Sequence, residues 1–253
     1  MRRMPRYGVV YKRKYPSTNS STTYKRQAPK RVRVDAPGVA SASRNVVRRP
    51  SLQVAKYTWN NNSSAVLFEP GGKAFLMTAY PPGNNEENRH SNTTMTYKMS
   101  INLELQVHPD YYKRACTWTM HWWLVYDQTP NGTLPDIGVI FDNQFKSAPQ
   151  TWMVNRDVCH RFVVKKMWHN KLTTNGIDPT KDCTQSAYPA NFYIPVKKFF
   201  SKLACKTEWK STAGGDIGDI KSGALYLIGS PRGQVKYQVQ GKFRMYFKSV
   251  GNQ

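Results

Sequence analysis

An antiparallel all-β sandwich behind a basic arm is the fold class that the sequence predicts, and three observations lead there. The chain changes texture near residue 50. Residues 1–50 hold fourteen Lys and Arg against one acid, Asp35, with no Trp, Phe, Ile or Leu. Beyond that point, apolar and polar residues alternate with period two, most clearly in TTMTYKMSINLELQVH over Thr93–His108. Between the alternating runs stand Pro/Gly/Asn clusters, with no strand–helix–strand pattern.

The first segment cannot bury enough apolar surface to offset its ordering entropy. Residues 1–50 are therefore predicted to be a disordered basic arm, and residues 51–253 a single folded domain. The arm's cations are Arg2, Arg3, Arg6, Lys12, Arg13, Lys14, Lys25, Arg26, Lys30, Arg31, Arg33, Arg44, Arg48 and Arg49. All are candidate nucleic-acid contacts. The denser groups, Lys12–Lys14 and Lys25, Arg26, Lys30, Arg31, Arg33, also read as nuclear-import signals, because both functions need cationic donors without acid partners. Tyr7, Tyr11, Tyr15 and Tyr24 add faces on which unpaired bases could stack.

In the folded domain, the predicted strands are Leu52–Thr58, Lys73–Thr78, Thr93–His108, Thr117–Tyr126, Val158–Trp168, Asn191–Phe199, Ala204–Trp209, Ala224–Ile228 and Val235–Phe247. Met95, Tyr97, Met99, Ile101, Leu103, Leu105 and Val107 are expected on one face of the third. Val235, Tyr237, Val239, Phe243, Met245 and Phe247 are expected on one face of the last, with a bulge or bend at Gly241. Turns are placed at Glu69–Gly72, Pro81–Asn85, Thr129–Gly132, Thr174–Gly176, Ala213–Gly215 and Ser230–Gly233. A helical turn or two is expected near Asp142–Ala148. Eight to ten antiparallel strands fit a sandwich or barrel, and an eight-stranded jelly roll suits that count.

Composition narrows the function. The chain of 253 residues has 38 Lys+Arg against 15 Asp+Glu, a net charge of +23, which points to a polyanionic partner. The four cysteines form no CxxC pair, so neither a zinc ribbon nor a disulfide scaffold is supported, and the thiols are expected to be buried and reduced. No apolar signal region follows the first residues. The most apolar stretch, Ala115–Tyr126, is too short to span a bilayer, so no membrane association is expected.

No catalytic constellation is evident. Cys159 and His160 are adjacent in a predicted strand, which would point them to opposite faces, one buried and one outward. The run from Gly215 to Ser222 resembles a phosphate-binding loop, but Ile220 stands where glycine is required and two Asp would repel phosphate, so it reads as an acidic turn. Glu86–Glu87 and Asp216/Asp219 are loop acids of a kind that sometimes binds a hard cation; exposed acids are more often only solvated, and no metal or cofactor is assigned. His121 and Trp123 should pack on one strand face. Trp118, Trp122, Trp123, Trp152, Trp168 and Trp209 are expected mostly in the core, with any surplus at subunit contacts. Arg161, Lys165, Lys166, Lys197 and Lys198 either extend a basic surface or face solvent.

Asn88-Arg89-His90, Thr96-Tyr97-Lys98, WLVYDQTP at Trp123–Pro130, VCHRFVVK at Val158–Lys165, GALY at Gly223–Tyr226 and the terminus YFKSVGNQ from Tyr246 resemble geminivirus coat proteins. The leafhopper-transmitted, mastrevirus- or curtovirus-like kinds are nearer than the whitefly-transmitted ones. The resemblance spans roughly residues 50–253. It implies a jelly-roll subunit that assembles through pentameric capsomers into T=1 icosahedral shells, twinned around circular single-stranded DNA. It further implies an arm for DNA binding and nuclear import through a host receptor, an outer surface read by an insect-vector receptor, and residence in the virion and host nucleus. The zinc-finger-like Cys/His spacing discussed for some members is absent here. The competing expectation is a monomeric host β-barrel that binds nucleic acid; an enzyme is not expected.

Overall fold

The computed structural model describes residues 52–59, 65–178 and 190–251. The predicted arm and its fourteen candidate cations lie outside the described residues. Strand segments follow one another as β1 (Gln53–Trp59), β2 (Val66–Phe68), β3 (Lys73–Leu76), β4 (Thr93–Val107), β5 (Ala115–Asp127), β6 (Phe141–Asp142), β7 (Met153–Val154), β8 (Phe162–Asn175), β9 (Tyr193–Phe200), β10 (Cys205–Trp209), β11 (Ile220–Ser222), β12 (Ala224–Pro231) and β13 (Tyr237–Ser249). One helical turn, α1 (Ile137–Ile140), precedes β6, slightly earlier than the expected position.

Two antiparallel sheets face each other. The first runs β1-β13-β4-β10-β11, with β2 also on β13 and β9 also on β4; the second runs β3-β12-β5-β8. Segments β1 and β2 lie end to end along one side of β13, where Trp59 faces Gly241 and Val66 faces Val239. Segments β9 and β10 share one side of β4 in the same way, with Phe200 opposite Met99 and Cys205 opposite Thr96. Each pair thus behaves as one interrupted strand, which gives two packed sheets in jelly-roll order.

Alternation locates the core, with one correction. In β13, Tyr237, Val239, Phe243, Met245 and Phe247 are buried as expected, with Val235 just ahead of them. In β4 the expected face holds only from Met99 onward; before it, Thr94 and Thr96 are buried, while Met95 and Tyr97 are not. The cause is a bulge: Tyr246 faces Lys98 and Phe247 faces Thr96, so Tyr97 is an extra residue and reverses the phase. The other neighbour of β4 breaks at the same place. Lys202 and Ala204 adopt positive φ between β9 and β10, and the Leu203 amide donates to the Tyr97 carbonyl at 3.0 Å.

Of the bulge or bend expected at Gly241, the bulge is absent. The ladder passes unbroken from Trp59 through Gly241 to Leu103. Glycine is needed there for close approach, since a Cβ would fall 2.4 Å from the Asn102 carbonyl oxygen, and its φ is +139°.

Aromatic rings fill the space between the sheets. Trp59 lies 4.6 Å from Phe75 and 4.5 Å from Phe243, Phe68 meets Trp122 at 5.1 Å, and Tyr80 stacks on Phe247 at 4.0 Å. Trp122, Trp123, Trp152 and Trp209 are buried; Trp118 and Trp168 are half-buried against the same core. The apolar run in β5 is explained by burial of both its faces. Trp122 points inward. Trp123 points out of the sandwich onto Phe141 (5.3 Å) and Trp152 (5.4 Å, nearly parallel), which belong to the long connection between β5 and β8.

Candidate nucleic-acid interface

The outer face of the first sheet is built by the residues that alternate with the buried ones. Cross-strand register sets them in rows. Thr58, Lys242, Asn102 and Lys197 form one, and Lys56, Arg244, Ser100 and Phe199 the next; Tyr246 and Lys98 follow. Lys248 and Lys206 flank Met95 beyond the bulge. Lys198, by contrast, stands opposite buried Ile101 at the sheet edge, so Lys197 and Lys198 project to different sides.

Charge on this face is one-sided. Within β1, β4, β9, β10 and β13 the acids are Glu104 and Glu208. Glu104 accepts a bond from Gln240 at 2.9 Å, and Glu208 pairs with Lys206 at 2.6 Å. The loop residue Glu87 pairs with Lys56 at 2.9 Å. The bond to Glu87 raises the Lys56 pKa and the bond from Lys206 lowers that of Glu208, each toward keeping its charge, but both pairs lie near solvent and add little stability. Lys98, Lys197, Lys242, Arg244 and Lys248 enter none of the ion pairs found among the described residues. A groove of about 480 Å³ crosses the face between Ser100, Asn102, Lys197, Phe199, Lys242 and Arg244. Such a surface can take up phosphate oxygens and leaves an aromatic ring at its margin.

Sequence inspection flags Lys197 and Lys198 but misses Lys98, Lys242, Arg244 and Tyr246. The signal was available in β13, where the residues between the buried positions are Lys242, Arg244, Tyr246 and Lys248.

The other candidate groups serve the framework or lie in turns. Arg161 does not extend the basic surface: its Nε and Nη2 donate to the Asp127 carboxylate at 2.8 and 2.9 Å, and Asp127 is fully buried. The Tyr226 hydroxyl donates to the same carboxylate at 3.2 Å, and burial pushes its pKa up. Three of the family-like runs, at Trp123–Pro130, Val158–Lys165 and Gly223–Tyr226, thus converge on one buried carboxylate. Arg89 of a fourth is also buried. It donates to the Tyr80 and Thr212 carbonyls and to Asn92 Oδ1, and lies 4.9 Å over Trp209. Burial lowers its pKa, with Asp219 opposing.

Cys159 and His160 are not in a strand. They follow a 3₁₀ turn at Arg156–Val158, and both are exposed, because β8 begins only at Phe162. The expectation of buried thiols holds for Cys205, whose pKa burial raises to about 11, but Cys116 is exposed too; Cys183 lies outside the described residues. The Asp216–Asp219 segment is a capped 3₁₀ turn whose carboxylates bond its own backbone. Among the described residues no three His, Cys, Asp or Glu side chains converge as a metal site requires. His121 stacks with Trp123 at 6.0 Å, as expected.

A family model described as the geminivirus coat protein/nuclear export factor BR1 family matches residues 2–253. The chain is 43% identical over 252 residues to the capsid protein of Tobacco yellow dwarf virus (strain Australia), covering 97% of this chain and 98% of that one. It is 38% identical to the capsid protein of Chloris striate mosaic virus, with 96% and 98% covered. With the capsid protein of Maize streak virus genotype C (isolate Set) the identity is 36%, with 82% and 86% covered.

Proposed function

The chain belongs to the geminivirus coat protein family, and on that premise we propose that it closes into a shell around circular single-stranded DNA and escorts that DNA to the host nucleus. A coat protein is a structural component of the virion and acts through copies of itself. That sets aside the monomeric host module. The finer roles are our reading: DNA packaging, nuclear import, and recognition by an insect vector at the outer surface.

One observation carries the packaging step: a net charge of +23 per subunit, part of it set in rows of cations on a sheet face of the folded domain. The mechanism is neutralisation of phosphate with release of counterions. If all formal charge in the arm counted, each subunit would compensate ~13 phosphates, and binding would fall steeply with salt at about 0.7 log units of affinity per contact for every log unit of salt. The arm supplies most of that charge, and Lys12–Lys14 with Lys25, Arg26, Lys30, Arg31 and Arg33 serve the import receptor as well.

The test replaces those eight arm cations by Gln in the full chain. The expected result is a flatter dependence of single-strand affinity on salt together with loss of nuclear accumulation. An unchanged slope would contradict an arm-driven mechanism, and failure of the unsubstituted protein to form closed particles in electron micrographs would contradict the shell.

A further inference from the structure

We propose that the outer face of the first sheet is a base-stacking site for unpaired polynucleotide, with Phe199 and Tyr246 as its platform and Lys98, Lys197, Lys242 and Arg244 as its phosphate contacts. The inference rests on the packaging role above and adds to it the residues that tell an unpaired strand from a paired one.

The geometry comes from the register. Phe199 on β9 stands beside Ser100 on β4, and Tyr246 on β13 beside Lys98, so the two rings face each other across β4. Their centroids are 6.3 Å apart and their planes near perpendicular, 69°. Ser100 between them is short, and the groove opens there. Phe199 is 60% exposed, a costly placement for a ring with no ligand. Lys197, Lys242 and Arg244 are exposed around the same groove. Aromatic faces bordered by cations suit a single strand, whose bases have free faces and whose phosphates track a positive groove. A duplex offers the phosphates but hides the base faces.

A second copy of the chain is the competing occupant. Charge disfavours it, since a neighbour with 38 Lys+Arg against 15 Asp+Glu offers few carboxylates to match these cations.

The experiment uses full-length protein, an oligothymidine single strand and a hairpin duplex of equal phosphate number. Phe199→Ala with Tyr246→Ala should weaken single-strand binding about tenfold or more and leave duplex binding within about twofold. Phe199→Trp with Tyr246→Trp should retain the single-strand preference, which separates stacking from a folding defect. Lys197→Gln, Lys242→Gln and Arg244→Gln together should weaken both ligands and lower the single-strand salt slope by about 0.7 per lost contact. Equal losses on both ligands in the alanine pair, or no loss on either, would overturn the stacking site while leaving packaging intact. Loss of particles with unchanged oligonucleotide affinity would overturn it in favour of a subunit contact. If the unsubstituted chain binds neither ligand, packaging itself falls, and this site with it.

Discussion

The two sheets share a core but treat their outer faces in opposite ways. Among the described residues the first leaves its face open, set with Lys98, Lys197, Lys242, Arg244 and Lys248. The second is roofed by the connection between β5 and β8, which lays Phe141 and Trp152 over Trp123 and ties back through the Gly233 amide to the Ser147 carbonyl at 2.7 Å. An antiparallel sheet can face water on one side, so the polar positions of this face need no cover. A face carrying Trp123 cannot stay open, and the roof removes it from water. The lesson is that one sheet is finished by the chain itself, while the other presents its chemistry outward.

Substitutions can break this contrast, beginning with the strongest. Arg161→Met removes the cation from the fully buried Asp127 at the neck of the roof. Stripping one partner from a buried pair costs about 3–5 kcal/mol. Equilibrium denaturation should show a loss of that size, and a loss below about 1 kcal/mol would mean that the neck does not hold the roof down.

Acid should sharpen the contrast next. His121 lies beneath the roof, with His169 across the ladder at 5.9 Å between rings; burial, then His169 and Arg232, depress its pKa from 6.5 to about 4. The unfolded chain then binds the proton more readily than the folded one. The stability from keeping His121 neutral is complete above about pH 6.5 and is lost as pH falls toward about 4. Denaturation midpoints of His121→Asn and the unsubstituted protein, measured between pH 7 and 4, should converge on acidification; parallel curves would remove His121 as the cause.

The smallest effect belongs to the open face. Lys56→Gln breaks an exposed ion pair with Glu87 and should shift the denaturation midpoint by only a small fraction of the Arg161→Met shift. A shift of comparable size would make the face part of the framework rather than a presented surface.

Much of the sandwich was legible in the residues. The buried positions of β13 could be read directly, because Tyr237, Val239, Phe243, Met245 and Phe247 keep one phase throughout. The phase of β4 could be read only from Met99 onward, since a single extra residue at Tyr97 leaves no mark in the pattern before it. Segments β2, β6, β7 and β11 are two or three residues long, too short for any period to register. Cys159 and His160 were misplaced for a related reason: the apolar run of β8 continues back into a turn. In the interface, Lys197 was visible as part of a doublet. Phe199 and Tyr246 were not, because they sit far apart in the chain and meet only through the pairing of β4 with both of their strands.

The clasp of Asp127 and Arg161 also bears on how this molecule can vary. The chain departs from the second sheet and returns to it at that one point, where the Gln128 amide donates to the Arg161 carbonyl at 3.0 Å. Closing a ring grows costlier only with the logarithm of its circumference. Lengthening or trimming the exposed tip around Leu134 or Phe145 therefore costs the fold little, so long as Phe141 and Trp152 stay seated. The connection can drift in outline while the sandwich keeps its shape.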